Sequence, residues 1–190
     1  MRIFSGDLRG RAFDRPKTAG TRPLTDKVRA AIFDVVGSPE GLTVLDAYAG
    51  TGAAGFEALS RGAARVEAIE ADKQAARVIE RNVGLLKIVQ GYTLHRLKLE
   101  TWLSLSANNP ASPRFDLIIA DPPYVALDAD VLRRLGAFLT ADGVLVVSHS
   151  SKIAALELTG LRLARHKVYG DSALSFYVRD AALAPKVDGV

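Results

Sequence analysis

The 190-residue chain has no cysteine at all. That removes disulfides, thiolate nucleophiles and every cysteine-ligated zinc or iron–sulfur centre, and it fits a reducing compartment. Long apolar runs are missing too, with nothing near the roughly 20 residues that cross a bilayer. The N-terminus, Met1 to Arg11, lacks the apolar core of a signal peptide. The expectation is a soluble cytoplasmic protein with no membrane segment. Strong net charge is absent: 25 Lys and Arg against 21 Asp and Glu leave +4, mildly basic and not histone-like. The three histidines, His95, His149 and His166, are scattered without metal-ligand spacing, so no metal is expected. Ser148 and Ser150 flank His149 without the glycine elbow of a hydrolase nucleophile.

What is present is the composition of a globular protein, 48% hydrophobic and 24% charged. This excludes disordered and fibrous classes and favours one full domain with a small appendage. The charge is unevenly placed. Residues 1–29 hold eight basic side chains (Arg2, Arg9, Arg11, Arg15, Lys17, Arg22, Lys27, Arg29) against three acids, a local net of +5, while residues 30–190 net −1. Ile3, Phe4, Leu8 and Phe13, interleaved with Gly6 and Gly10, suit a short hairpin that exposes guanidinium groups. Thr25 is placed to cap a helix with Val28, Ala31, Ile32, Val35 and Val36 at helical spacing, stopped by Gly37 and Pro39. Residues 1–40 are therefore expected to form a basic extension, with Arg9, Arg11, Arg22, Lys27 and Arg29 as candidate nucleic-acid contacts. Residues 41–180 are expected to form the main domain and 181–190 a tail.

The main domain alternates short β-rich and helical stretches. Strands are expected at 43–47, 65–70, 92–98, 115–121 and 144–149, and helices at 53–61, 72–86 and 129–140. Residues 161–168 and 174–179 read as a terminal antiparallel hairpin around Tyr169-Gly170-Asp171-Ser172. Such alternation means a mostly parallel sheet covered by helices on both faces.

Two turns carry chemistry. In Val44-Leu45-Asp46-Ala47-Tyr48-Ala49-Gly50-Thr51-Gly52-Ala53-Ala54-Gly55, the chain passes from strand to helix through Gly50-x-Gly52-x-x-Gly55, which lets backbone approach a ligand closely. Glu70 ends the next strand, where a carboxylate can accept both hydroxyls of a ribose. This spacing serves a dinucleotide as well as S-adenosylmethionine. Asp46 at the strand end favours the second, because a carboxylate repels a diphosphate and suits a sulfonium and an ammonium. An Asp that merely orders the loop would look the same in sequence.

The second turn follows an apolar strand: Phe115-Asp116-Leu117-Ile118-Ile119-Ala120-Asp121-Pro122-Pro123-Tyr124. Prolines remove N–H donors and fix φ, leaving a rigid array of acceptors. Asp121 and the Pro122 carbonyl can take the two protons of a nucleobase amino group and aim its lone pair. Tyr124 offers a face for the base.

With these residues in place, the chain resembles the bacterial 16S rRNA (guanine-N(2))-methyltransferases from Arg2 to about Arg179. The resemblance rests on Arg2-Ile3-Phe4-Ser5-Gly6 with Leu8-Arg9-Gly10-Arg11, on Thr21-Arg22-Pro23-Leu24-Thr25-Asp26-Lys27-Val28-Arg29, on the glycine loop running into Glu57-Ala58-Leu59-Ser60-Arg61-Gly62-Ala63, and on Asp121-Pro122-Pro123-Tyr124. It implies a Rossmann-like class I methyltransferase with a seven-stranded sheet, a monomer, and a guanine of 16S rRNA presented in a partly assembled small subunit. Asp46, Ala49, Gly50, Thr51, Gly52, Gly55 and Glu70 would then hold S-adenosylmethionine, and Asp121 to Tyr124 the base. Where the family has Gly-Asp-Ala or similar, this chain has Arg96-Leu97-Lys98-Leu99-Glu100-Thr101, which makes Glu100 the candidate adenine contact. Tyr48 stands where the family tends to have Phe. Three other readings remain open: an amino-methyltransferase of DNA or another RNA, a dinucleotide-dependent oxidoreductase, and an RNA-binding assembly factor with a vestigial pocket.

Overall fold

The computed structural model describes residues 1–16, 24–123 and 127–180. Five helices and seven strands follow in the order α1 (Asp26–Val36), β1 (Thr43–Asp46), α2 (Ala53–Ser60), β2 (Arg65–Ile69), α3 (Lys73–Leu85), β3 (Tyr92–His95), α4 (Leu99–Ala107), β4 (Phe115–Ala120), α5 (Ala129–Gly136), β5 (Leu139–Ser150), β6 (Leu161–Tyr169) and β7 (Ser172–Arg179). The strands form one sheet ordered β3-β2-β1-β4-β5-β7-β6. Only β7 runs against its neighbours, pairing antiparallel with both β5 and β6.

The core follows from side-chain alternation along the central strands. Val44, Val66, Leu117 and Val146 point to the face covered by α1 and α2, together with Ile32, Phe33, Ala54 and Ala58. Leu45, Ile118 and Leu145 point to the other face, against Trp102 and Leu103 of α4 and Leu132 and Leu135 of α5. Parallel strands buried on both faces read as the continuous apolar runs that locate them in the sequence.

The N-terminal hairpin is real and docked. Arg2 bridges Ala12, and Ile3 and Phe13 are buried with Phe56 of α2 and Ile79 of α3. Backbone N–H groups of Phe4 and Ser5 donate to the buried Glu57 carboxylate at 2.9 and 3.1 Å. The Thr25 hydroxyl caps α1, accepting from Val28 N–H, and Gly37 closes it. Asp72 caps α3 in the same way.

Two elements depart from expectation. Residues 99–107 form α4, in a stretch where the sequence predicts no helix. Residues 137–140 leave the helix expected at 129–140, and β5 begins at Leu139, opposite Phe115. Leu132, Leu135, Phe138 and Leu139 share helical spacing because all four feed the same core, so periodicity runs across the boundary.

Candidate functional site

The sheet order reverses direction between β1 and β4, and the carboxyl ends of strands beside such a switch point form a ligand crevice. Asp46 is the last residue of β1, Glu70 follows the last residue of β2, and Asp121 follows the last residue of β4. Register carries them together, because Asp46 pairs with Ala68 on one side and Ile119 on the other. Glu70 and Asp121 therefore each lie two residues further up a flanking strand.

Among the described residues, no cation pairs with these acids. Asp46 is only 3% exposed, and its Oδ2 accepts the Gly55 N–H at 3.0 Å. Burial, reinforced by the charges of Asp121 and Glu70, pushes its carboxyl up to about 7 against the opposing pull of the Gly55 N–H. Asp121 keeps an open edge, yet burial pushes it up to about 6, opposed by a hydrogen bond from the Ser148 hydroxyl. Glu70 is also raised by burial. Its Oε2 accepts from Gly50 N–H at 2.7 Å and its Oε1 from Asp72 N–H at 2.6 Å. That fixes the carboxylate at the rim of the glycine loop with lone pairs to spare for a diol.

The loop itself is held by its backbone. Gly50 and Gly52 have φ of 53° and 77°, the left-handed region that other residues seldom enter. A Cβ on Gly52 would sit 2.7 Å from the Phe56 ring, and one on Gly55 would sit 3.0 Å from Val66, so α2 is pressed onto the strand layer. Ala49 N–H donates to Ile69 O at 2.9 Å, and Thr51 Oγ1 accepts from Ala53 N–H at 3.3 Å. Both side chains are buried inside the turn.

Other expected residues fall as follows. Glu100 is exposed in the first turn of α4. The Tyr48 phenol is pushed up to about 12 by burial and by the charges of Glu100 and Asp128. Pro122 is buried and Pro123 exposed. Tyr124 and Arg22 lie outside the described residues, as does the tail at 181–190.

Arg9, Arg11 and Lys27 are exposed. Arg29 is not, and its expected role in contacting nucleic acid is corrected. Its guanidinium is fully buried, donating to Arg2 O at 2.7 Å, pairing with Asp26 at 3.3 Å and Glu57 at 3.8 Å, and lying 4.5 Å from the Phe4 ring centre. Burial lowers its pKa, and no face is left for a phosphate. The residue pins the hairpin to α1 and α2 instead.

Sequence reasoning missed Ser148 as the partner of Asp121; adjacent strands join the two, and no local spacing signals it. Among the described residues, no group of His, Asp and Glu could hold a metal ion, and no helix is long and apolar enough to cross a membrane.

The anion-rich cleft rejects a diphosphate and fits a ligand bearing positive charge. Three raised carboxylates stand at the switch point, and a sulfonium with an ammonium would relieve the desolvation that raises them. The residues present therefore fit S-adenosylmethionine.

Comparison with known proteins gives a family model described as "Conserved hypothetical protein 95", matching residues 1–178. A Bacillus subtilis protein named "Putative rRNA methyltransferase YlbH" is 31% identical, over 93% of this chain and 98% of its own length. "Ribosomal RNA small subunit methyltransferase D" of Escherichia coli K12 is 34% identical, over 65% of this chain and 60% of its own. Among solved structures, "Putative methyltransferase yhhF from Escherichia coli" superposes with a TM-score of 0.82 at 28% identity, covering 95% of this chain and 98% of that one.

Proposed function

Because the chain belongs to the family described as "Conserved hypothetical protein 95" and has the Rossmann-like methyltransferase fold of its neighbours, we propose that it methylates the exocyclic 2-amino group of a guanine in 16S rRNA. The single observation that carries the reading is the convergence of Asp46, Glu70 and Asp121 at one end of the sheet, with no neutralising cation among the described residues. The names of the relatives support rRNA as the substrate class. The exposed Arg9 and Arg11 of the docked hairpin support a nucleic acid as the partner; the rRNA would be met by a monomer, within a partly assembled small subunit.

Bound in the crevice, S-adenosylmethionine would supply an electrophilic methyl group. Glu70 would hold the ribose hydroxyls, Asp46 and the backbone of Ala49 to Gly55 the charged end, and Glu100 the adenine edge. Asp121 and the Pro122 carbonyl would accept the two N–H bonds of the guanine amine. That withdraws the nitrogen lone pair from ring delocalisation and aims it into the crevice, so catalysis is alignment with proton acceptance and needs no covalent intermediate. A guanine must be unpaired or flipped to arrive there, and Tyr124 would then stack on it.

Titration calorimetry tests the cofactor: saturable heat with S-adenosylmethionine and none with NAD(P) is expected, and the reverse would overturn the reading. For the basic N-terminal segment, neutralising Arg9, Arg11 and Arg22 is expected to weaken rRNA binding. It should also flatten the log–log salt slope by about 0.7 for each phosphate that these side chains neutralise; an unchanged slope removes these residues from the interface.

A further inference from the structure

Strand β6 forms one edge of the sheet, with β3 at the other. Its nine residues, Leu161–Tyr169, contain Arg162, Arg165, His166 and Lys167 and no acid. Arg162, Arg165 and Lys167 are exposed, and among the described residues none of the three has an ion-pair partner.

Strict alternation would put Arg162 and Arg165 on opposite faces of the strand. The pairing with β7 prevents this. Arg162 pairs with Val178, Leu163 with Tyr177, and then the register shifts so that Arg165 pairs with Phe176 and Lys167 with Leu174. A bulge at Ala164 therefore brings the three cations onto one face, the face of Leu174 and Phe176, which pack with α1. Bulges re-aim side chains in this way. The row has steps of about 7 Å, two residues of strand per step.

The row begins at the cleft end of the sheet. Tyr169 pairs with Ser172, Ser172 with Ser150, and Ser148 of that strand holds Asp121. The row thus starts on the β5 side of the cleft, while the basic hairpin packs against the C-terminal turns of α2 and α3 through Ser60, Asn82 and Leu86.

We propose that Arg162, Arg165 and Lys167 form a second phosphate-contacting strip that carries the rRNA chain across the β6 edge. This rests on the proposed rRNA substrate. Cations scattered on an edge strand can serve only to block edge-to-edge pairing. A bulge that collects them on one face, in line with the cleft, does more than that and matches the regular negative charge of a nucleic-acid backbone.

The test is the affinity of the full-length protein for transcribed small-subunit rRNA across a range of KCl concentrations. In the R162Q/R165Q/K167Q variant the log–log salt slope is expected to fall by about 2, with binding at least about tenfold weaker near 0.1 M salt. The R77Q variant, which removes one exposed cation from α3, should leave the slope unchanged. Single substitutions, each expected to remove about 0.7 of slope, keep the test decisive if the triple variant fails to fold. A wild-type slope in the variants overturns the strip while the rRNA reading stands. Self-association of the triple variant with an unchanged slope assigns the cations to edge protection and also overturns it. Failure of the wild-type protein to bind both this rRNA and immature small subunits overturns the substrate reading and the strip together.

Discussion

Asp121→Asn is expected to lower the rate of methyl transfer by roughly 10²- to 10³-fold while leaving rRNA affinity within about twofold. The substitution keeps the size of the side chain and its bond from Ser148, so the turn that follows β4 should hold its shape. It replaces a full acceptor carboxylate with a group that presents N–H to the guanine amine from one side. Only an interaction that strengthens as the nitrogen rehybridises is removed, and that is the signature of a group acting in the transition state. Because burial raises the Asp121 carboxyl to about 6, the wild-type rate should climb as pH rises through that value and the variant should lose that limb. Parallel loss of activity and rRNA binding would contradict the assigned role.

Asp46→Asn is expected to move two properties in opposite directions. The amide can still accept the Gly55 N–H, so the loop has no reason to collapse. Affinity for S-adenosylmethionine should fall by roughly 10- to 100-fold, the size of losing one charge-assisted interaction. Stability of the cofactor-free protein should rise at high pH. The sign follows from linkage: the Asp46 carboxyl stands at about 7 in the folded chain, against an ordinary value of 3.8. Its contribution to stability is therefore fully present below pH 3.8 and is lost as pH rises through 7. At about pH 8 the wild-type fold carries a buried uncompensated carboxylate, and the variant relieves it by up to roughly 4 kcal/mol. Thermal melts should show a higher midpoint for the variant at about pH 8 and coincident midpoints at about pH 4. A lower midpoint at the higher pH would mean that Asp46 orders the loop and does not await a cation.

The parts of this site legible in the sequence are those set by local chemistry. Asp46, Gly50, Gly52 and Glu70 lie within one strand–turn–helix–strand stretch, and their spacing alone places them around one crevice. Asp72 and Thr25 are legible as caps because a cap is a relation between residues about three apart. The misses share a different cause. Helix α4 follows Lys98 without a side-chain cap, and Leu99, Trp102 and Leu103 pack in one core cluster with Phe115 and Phe138. Arg29 looks like a surface cation in sequence because the partners that bury it, unlike Asp26 on its own helix, come from elsewhere: Glu57 lies on α2 and the Arg2 carbonyl in the hairpin. The bulge at Ala164 is likewise a relation between strands. It re-aims Arg165 by register with β7, which no spacing within β6 contains.

The measurement that bears most directly on guanine methylation is the fate of a tritiated methyl group. Immature small subunits from cells lacking this protein are incubated with the pure protein and labelled S-adenosylmethionine, and the rRNA is digested to nucleosides. Label is expected in N2-methylguanosine at a single site of 16S rRNA, and none with the Asp121→Asn variant beyond its residual rate. Label at another position of the base, in another RNA or in DNA, or no transfer at all, would contradict the proposed reaction.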